Sequence, residues 1–354
     1  MSFNEKNNTR VKIQKKRKFR RRLLFILIPF LLLVAGVGTW AANIYFKAEK
    51  AISESYTDDG REKSELRVEK VHPKFDNVSI LIMGIDASDH RENHDSARTD
   101  ALILATLNKE DKSVKLHSIP RDTYVYIPER GFEDKINHAH AFGGHESTIE
   151  TVENLLDIPV DYWIKLNFKA FVDVVDALNG VEVEVPYEFR ESDSNDKRDS
   201  IHLLPGQQIL NGEEALAFAR TRKHDNDVER GKRQIEIVKS VADKATSLSS
   251  LTKIDDMIEA VGDNMETNIS PDEMRGFIHY GTNGRNLSID SYSLEGTDYQ
   301  PGSIYYYQLD EVALNETKEM LKKHLELPDA NDGTSEGNLE LTEEAESATQ
   351  PAGN

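Results

Sequence analysis

The chain has 354 residues, no Cys and a formal charge of −19, which excludes disulfide scaffolds, Cys-ligated zinc and thiol catalysis. That charge is divided unevenly: residues 1–22 hold ten Lys or Arg against one acid, Glu5, and residues 23–46 hold no charge. A balance of +9 at the start leaves −28 for the rest, which argues against a nucleic-acid-binding domain, since such domains present a basic face.

Leu23 to Ala42 is a run of twenty residues without an ionisable side chain. As a helix it would be about 30 Å long, the thickness of a bilayer core. Trp40 and Tyr45 fall near one end, where aromatic anchors are expected, and the basic cluster Lys15–Arg22 directly precedes the run. The positive-inside rule then places residues 1–22 in the cytoplasm, a signal-anchor helix over 23–45, and everything after it outside the cell. A cleaved signal peptide would have a shorter apolar core. Residues 46–75 are densely charged and read as an extracellular stalk, helical or extended.

From residue 76 the pattern changes. Val78–Ile85, Ala101–Leu107 and Val114–Ile119 are short apolar runs, the pattern of strands covered on both faces. Ser147-Thr-Ile-Glu150 reads as a capping box that opens a helix through Leu156. Val160–Leu166 alternates like a strand, Phe168–Leu178 has helical spacing, and Asn179-Gly180 stops it before the strand Val181–Val185. Asn211 is placed to cap a helix over Gly212–Arg220, and a long helix follows from about Val228 to Ser247. Ser270-Pro-Asp-Glu273 begins another helix. Leu287–Leu294 and Ser303–Tyr307 read as late strands, and Asp310–Leu325 as a last helix. Strands alternating with helices indicate an α/β sandwich. Residues 326–354 form an acidic tail whose eight acids and small residues predict disorder.

Phe218 to Gln234 puts six Lys or Arg into seventeen residues of an otherwise acidic region. Arg220 and Arg222 fall at the end of one predicted helix, and Arg230, Arg233 and Gln234 at the start of the next. Guanidinium groups gathered round one bend suit a phosphate-bearing ligand, although charge runs are more often a solvated face. Asp86 ends the first strand, Arg98-Thr-Asp100 precedes the second, and Arg121 ends the third, so two carboxylates and two Arg converge at strand ends, where ligands of α/β sheets gather. Two Asp are too few to enclose a metal, but they suit Mg²⁺, which keeps waters and takes oxygens from a phosphate. His138, His140 and His145 lack a matched carboxylate partner and do not read as a zinc site. Tyr305-Tyr-Tyr307 reads as strand packing rather than as a platform for sugar.

Ile80-Leu-Ile-Met-Gly-Ile-Asp86, Ala97-Arg-Thr-Asp100, Ser118-Ile-Pro-Arg-Asp-Thr123, Asp134-Lys-Ile-Asn-His-Ala-His-Ala-Phe-Gly-Gly144, Phe171–Val181 and Leu210–Arg220 through Arg233-Gln234 resemble, in order and spacing, the LytR-CpsA-Psr family. Within it the chain looks most like the teichoic acid transferases of Gram-positive bacteria. The resemblance covers roughly residues 76–325, the expected catalytic domain. It implies a three-layer α-β-α sandwich with a central mixed sheet, here preceded by one N-terminal transmembrane helix. It also implies a phosphotransferase that moves an anionic glycopolymer, wall teichoic acid, from a polyisoprenyl diphosphate carrier to a muramic acid hydroxyl of peptidoglycan at the cell membrane. Asp86 and Asp100 would hold Mg²⁺ (or Mn²⁺); Arg98, Arg121, Arg220, Arg222, Arg230 and Gln234 would contact diphosphate oxygens; a hydrophobic tunnel between sheet and helices would take the prenyl tail. Asp122 and Asp227 are both candidates for the base. The alternatives are a polyisoprenyl diphosphate hydrolase and a membrane-bound regulatory protein that senses lipid-linked intermediates. Three departures stand out: Asn226-Asp-Val-Glu-Arg230 replaces the usual Gly-Asp-Phe-Gly-Arg, Ala101 replaces a small hydroxyl residue, and Asn179-Gly180 replaces Gly-Gly.

Overall fold

The computed structural model describes residues 53–85, 97–245, 265–283 and 287–328, together with residues 39, 46 and 50. The expected membrane span (residue 39 apart), the loop that begins with Asp86, and the tail from residue 329 lie outside the described residues. Among the described residues no helix is long and apolar enough to cross a membrane.

The chain opens with a meander of β1 (Val78–Ile85), β2 (Thr99–Asn108) and β3 (Ser113–Ser118), followed by the hairpin β4 (Tyr124–Ile127) and β5 (Phe132–Lys135). Helix α1 (His138–Leu156), strand β6 (Tyr162–Asn167) and helix α2 (Phe168–Ala177) come next. Strands β7 (Val181–Val185), β8 (Phe189–Glu191), β9 (Ile201–Leu203) and β10 (Gly206–Leu210) make two small ribbons, β7 with β10 and β8 with β9. Helices α3 (Gly212–Arg220) and α4 (Asp227–Ala245), strand β11 (Met265–Thr267), helix α5 (Pro271–Asn283), strand β12 (Ser288–Ser293), the ribbon β13 (Gly296–Tyr299) with β14 (Tyr306–Leu309), and helix α6 (Glu311–Leu325) complete it. The central sheet runs β11-β6-β1-β2-β3-β12. It is mixed: β6 lies parallel to β1 and β12 parallel to β3, while the other neighbours are antiparallel.

Alternation along β1 and β2 divides the core between two faces. Leu81, Met83, Leu102 and Leu104 meet Ile149, Val152, Leu321 and Leu325 of α1 and α6. Ile103, Ala105, Val114 and Leu116 point the other way, to Ile235 of α4 and to Met274 and Phe277 of α5. Strands apolar on both faces therefore sit between two helical layers, the sandwich expected from their sequence. A further core joins α2, α3 and the β7 ribbon through Val175, Val181, Val183 and Phe218, and Ile237 of α4 closes it.

Two details differ from expectation. The helix expected to open at Ser147 begins at His138 and is broken at Gly143 and Gly144, where Gly144 has φ 65° and ψ −151°. That backbone region is essentially reserved for glycine, so the pair sets the bend and Ser147 lies inside the helix. Instead of a capping box, the Thr148 hydroxyl donates to the Gly144 carbonyl at 2.9 Å. Residues 56–76, within the expected stalk, lie against the domain. Tyr56 bridges to Thr267, Arg61 pairs with Glu153 at 2.6 Å, Arg67 grips both Asp161 oxygens at 2.9 and 2.7 Å, and the buried Trp163 indole donates to Asp59 at 2.9 Å.

Candidate active site

Asp100 owes its position to a break in register. Gly84 opposes Ala101 but Ile85 opposes Thr99, so Asp100 is the extra residue of a β-bulge. In a regular strand Asp100 would share the face of Leu102, under α1. The bulge turns it to the side of Ala101 and Ile103, where it borders an apolar cavity of about 90 Å³. Such a bulge re-aims one side chain at the cost of one ladder position. Ile82, Ile103, Leu166, Phe171, Leu216 and Ile237 line the cavity between the sheet and helices α2, α3 and α4. Asp100, Asn167, Arg220 and Gln234 are the polar groups of its wall.

Around that mouth the predicted residues assemble. Arg121, at the end of β3, donates to Asp100 at 2.5 Å and stands 4.0 Å from both Asp122 and Asp227. Asp227 opens α4 and receives Arg230 at 3.3 Å and Arg222 at 3.5 Å. Gln234, one helical turn on, donates to the carbonyls of Asp100 and Ala219 at 3.4 and 3.3 Å. Arg220 lies 4.7 Å over the Phe168 ring. Arg98 is exposed beside this group and Arg222 is half-exposed. Asp86 lies outside the described residues.

The bend that carries the Arg is held by its own chemistry. Asn226, where the family pattern has glycine, accepts from the amides of Val228 and Glu229 at 3.1 Å each and so caps α4. Glu229 pairs with Lys232 on the solvent side at 2.6 Å, away from the cluster. Arg233, grouped with the phosphate-facing residues in the sequence, instead ties the bend together. It donates to the carbonyls of Phe218 and Thr221 and pairs with Asp225. Lys223 reaches only the exposed Asp199. Lys135 is the residue that sequence reasoning missed: its ammonium sits 3.0 Å from Asp122. Its place in the strand before Asn137-His138 was quoted within a motif, but nothing in the spacing revealed the hairpin that folds it back.

Electrostatics divides the two carboxyl groups. Burial would raise Asp122, but the Lys135 hydrogen bond and the Arg121 charge outweigh it and hold it below the ordinary value. Burial, with the neighbouring Asp122 carboxylate, raises Asp227 despite Arg230 and Arg121. Asp227 Oδ2 has no donor partner among the described residues, and the Asp122 carboxylate beside it disfavours the charged form of Asp227. Burial also lowers Arg230 to about 10, whereas Asp100 and Asp122 raise Arg121 in spite of its burial. Arg121 Nε and Arg220 Nη1 are buried without an acceptor among the described residues. Unpaired buried donors cost about 1–3 kcal/mol each, so they are expected where a site is built around an acceptor that arrives later. Guanidinium groups round an apolar cavity fit a ligand with an anionic head and a long hydrocarbon tail.

Asp100 also suits a hard divalent cation. It is an accessible carboxylate at the mouth, one of whose oxygens is taken by Arg121, and Mg²⁺ needs only one or two such groups when a diphosphate supplies the rest. Among the described residues no cluster of three or more His, Asp or Glu is arranged to enclose a metal.

Comparison with known proteins agrees with this geometry. The LytR_cpsA_psr family model matches residues 42–323. The polyisoprenyl-teichoic acid–peptidoglycan teichoic acid transferase TagT of Bacillus subtilis (strain 168) is 41% identical over 318 residues, 88% of this chain and 97% of that protein. TagU of the same organism is 38% identical over 315 residues, 88% of this chain and 99% of that protein. Among solved structures, TagT bound to LI-WTA superposes with a TM-score of 0.64 at 40% identity, covering 76% of this chain and 98% of that one. The family protein YwtF (TagT) with bound octaprenyl pyrophosphate lipid superposes with a TM-score of 0.60 at 38% identity, covering 76% and 98%.

Proposed function

The chain belongs to the LytR_cpsA_psr family, and from that premise we propose that it transfers an anionic cell-wall glycopolymer, wall teichoic acid, from a polyisoprenyl diphosphate carrier to peptidoglycan. One observation carries the reading for this chain: the guanidinium cluster of Arg121, Arg220, Arg222 and Arg230 stands at the mouth of an apolar cavity. The cluster matches a diphosphate and the cavity a prenyl chain. The cavity is smaller than the roughly 300–1,000 Å³ of an ordinary ligand pocket, so the tail enters by parting α2 and α3 from the sheet.

Phosphoryl transfer asks for alignment and charge neutralisation more than for covalent help. Arg98, Arg121, Arg220, Arg222, Arg230 and Gln234 bind the diphosphate oxygens, and the N-terminus of α4 adds its dipole. An acceptor hydroxyl oxygen bonds to the polymer-bearing phosphorus while the bond from that phosphorus to the bridging oxygen breaks. The electron pair leaves on the prenyl phosphate, which the same Arg stabilise. The hydroxyl proton passes to Asp122, whose carboxylate Lys135 and Arg121 favour in the charged form. Asp100, with Asp86, would hold Mg²⁺ (or Mn²⁺), whose charge would neutralise the diphosphate further. This makes the chain a transferase of substituted phosphate groups. Leu23–Ala42 anchors it in the cell membrane, with residues 1–22 cytoplasmic and the domain outside.

The test supplies lipid-linked polymer with and without peptidoglycan and measures both the polymer–peptidoglycan adduct and the released prenyl phosphate. Adduct formation that collapses about 10²–10³-fold in Arg121→Ala, the loss typical of one preorganised donor, supports the proposal. Prenyl phosphate release that is indifferent to peptidoglycan identifies a hydrolase instead.

A further inference from the structure

The Tyr-rich end of the β13–β14 ribbon divides by strand alternation. Tyr307 is buried, its hydroxyl donating to the Leu294 carbonyl at 3.3 Å and its amide to the Asp122 carbonyl at 2.8 Å. That residue is strand packing, as its sequence suggested. Tyr306 points to the opposite side and meets Tyr124 of β4 at a centroid distance of 4.7 Å. Tyr299 of β13 lies 5.6 Å from Tyr124 and 6.4 Å from Tyr306, and is 37% exposed. The three rings are tilted by 42–60° rather than stacked on one another, so they do not cover each other's faces. Tyr305 adjoins them, its hydroxyl donating to Asp298 at 2.9 Å.

This surface is continuous with the site. The Lys135 ammonium is 3.0 Å from Asp122 and 5.8 Å from the ring centroids of both Tyr305 and Tyr306. Lys135 is also the cross-strand partner of Tyr124. The path from the proposed proton acceptor to the aromatic patch is therefore one side chain long. We propose that Tyr124, Tyr299 and Tyr306 form the acceptor platform, on which the sugar rings of a peptidoglycan glycan strand lie so that one hydroxyl reaches Asp122.

The chemistry favours a neutral glycan over the other candidate occupants. The C–H faces of a pyranose ring are apolar and pack on aromatic faces, while its edge hydroxyls need acceptors; the exposed Asp298, bound to the Tyr305 hydroxyl, and the exposed Glu133, bound to the Tyr124 hydroxyl, each have a second carboxylate oxygen for them at the rim. The same two carboxylates repel an anionic polymer, so the donor's own chain is kept off the platform. A lipid surface would be expected to meet aliphatic side chains and Lys or Arg, and the cation nearest the rings is already bound to Asp122.

The inference rests on the transferase reading for what happens to the bound glycan, but its test does not. The full chain in detergent, without donor, is titrated calorimetrically with a soluble oligosaccharide of alternating N-acetylglucosamine and N-acetylmuramic acid whose lactyl carboxyl groups are amidated, and so uncharged. Tyr299→Ala and Tyr306→Ala should each weaken binding about three- to tenfold, the change that follows from losing an aromatic contact of about 0.5–1.5 kcal/mol. Tyr306→Phe should bind like the parent, because the ring rather than the hydroxyl does the packing, and it serves as the folded control. Unchanged affinity in both Ala variants, or weakened affinity for lipid-linked donor in place of glycan, overturns the platform. Glycan binding with these losses in a protein that transfers nothing would retain the platform and refute the transferase reading.

Discussion

Asp122 and Asp227 stand side by side among the same cations, yet their acidities move in opposite directions. Two carboxylates so close cannot both ionise cheaply, and the one with the ammonium partner keeps its charge. On the proposed reading this separation favours Asp122 as the base, a choice left open between the two residues when only their positions in the chain were known. Asp122 has a folded-state value below the ordinary 3.8. Its ionisation therefore contributes stability that is present above that pH and lost as pH falls through the folded value. In denaturant melts between pH 3 and 7, Asp122→Asn should be less stable than the parent near neutrality, and the gap should close toward pH 3. With lipid-linked donor, the same variant should lose about 10²–10⁴-fold in transfer rate, the usual contribution of a general base, while retaining donor affinity. A full transfer rate in Asp122→Asn would remove it from the mechanism.

At the scale of elements, helix α4 is held to the sheet by an absence of side chain. A Cβ on Gly231 would lie 2.1 Å from Ser118 Oγ and 3.0 Å from its Cβ. Arg230 and Gln234 ride on this helix, so its closeness to β3 sets where they point. Gly231→Ala should cost about 1–3 kcal/mol of stability, as overpacking does, and should weaken binding of a prenyl diphosphate. Adding Ser118→Ala removes the nearer clash, and urea midpoints should show partial recovery in the double variant. The helices and most central strands were legible because their apolar residues follow the period of the element that buries them: the Asn211 cap, the Asn179-Gly180 stop and the runs of β1 to β3 all formed. What stayed hidden depends on pairing. The bulge at Asp100 is a property of two strands read together, and the β4–β5 hairpin that delivers Lys135 carries too few apolar residues to announce itself. The Gly143-Gly144 kink, set by a φ/ψ pair that is essentially reserved for glycine, displaced a helix start that Ser147 mimicked. The candidate site was legible as a list of Arg and Asp, and the resemblance had already left Arg233 out of the diphosphate set; that Arg233 ties the bend to Phe218, Thr221 and Asp225 is visible only in the bend itself.

For the whole molecule, the apolar cavity beneath α2 and α3 and the Tyr surface beyond Lys135 lie on different sides of Asp122. On the proposed reading, such an arrangement keeps donor and acceptor from competing for one groove. The strap of residues 56–76 adds a constraint of distance. Ser55 is already buried and Tyr56 bridges to Thr267, eleven residues beyond the proposed span over residues 23–45. An interval of eleven residues reaches no more than about 40 Å even when fully extended. On the proposed topology, a leash that short would keep the domain near the bilayer, within reach of the carrier's diphosphate. Inserting twelve Gly/Ser residues after residue 50 should therefore depress transfer from a carrier embedded in vesicles while sparing a short-chain, water-soluble donor. Equal rates with both donors would mean that height above the membrane is irrelevant to capture.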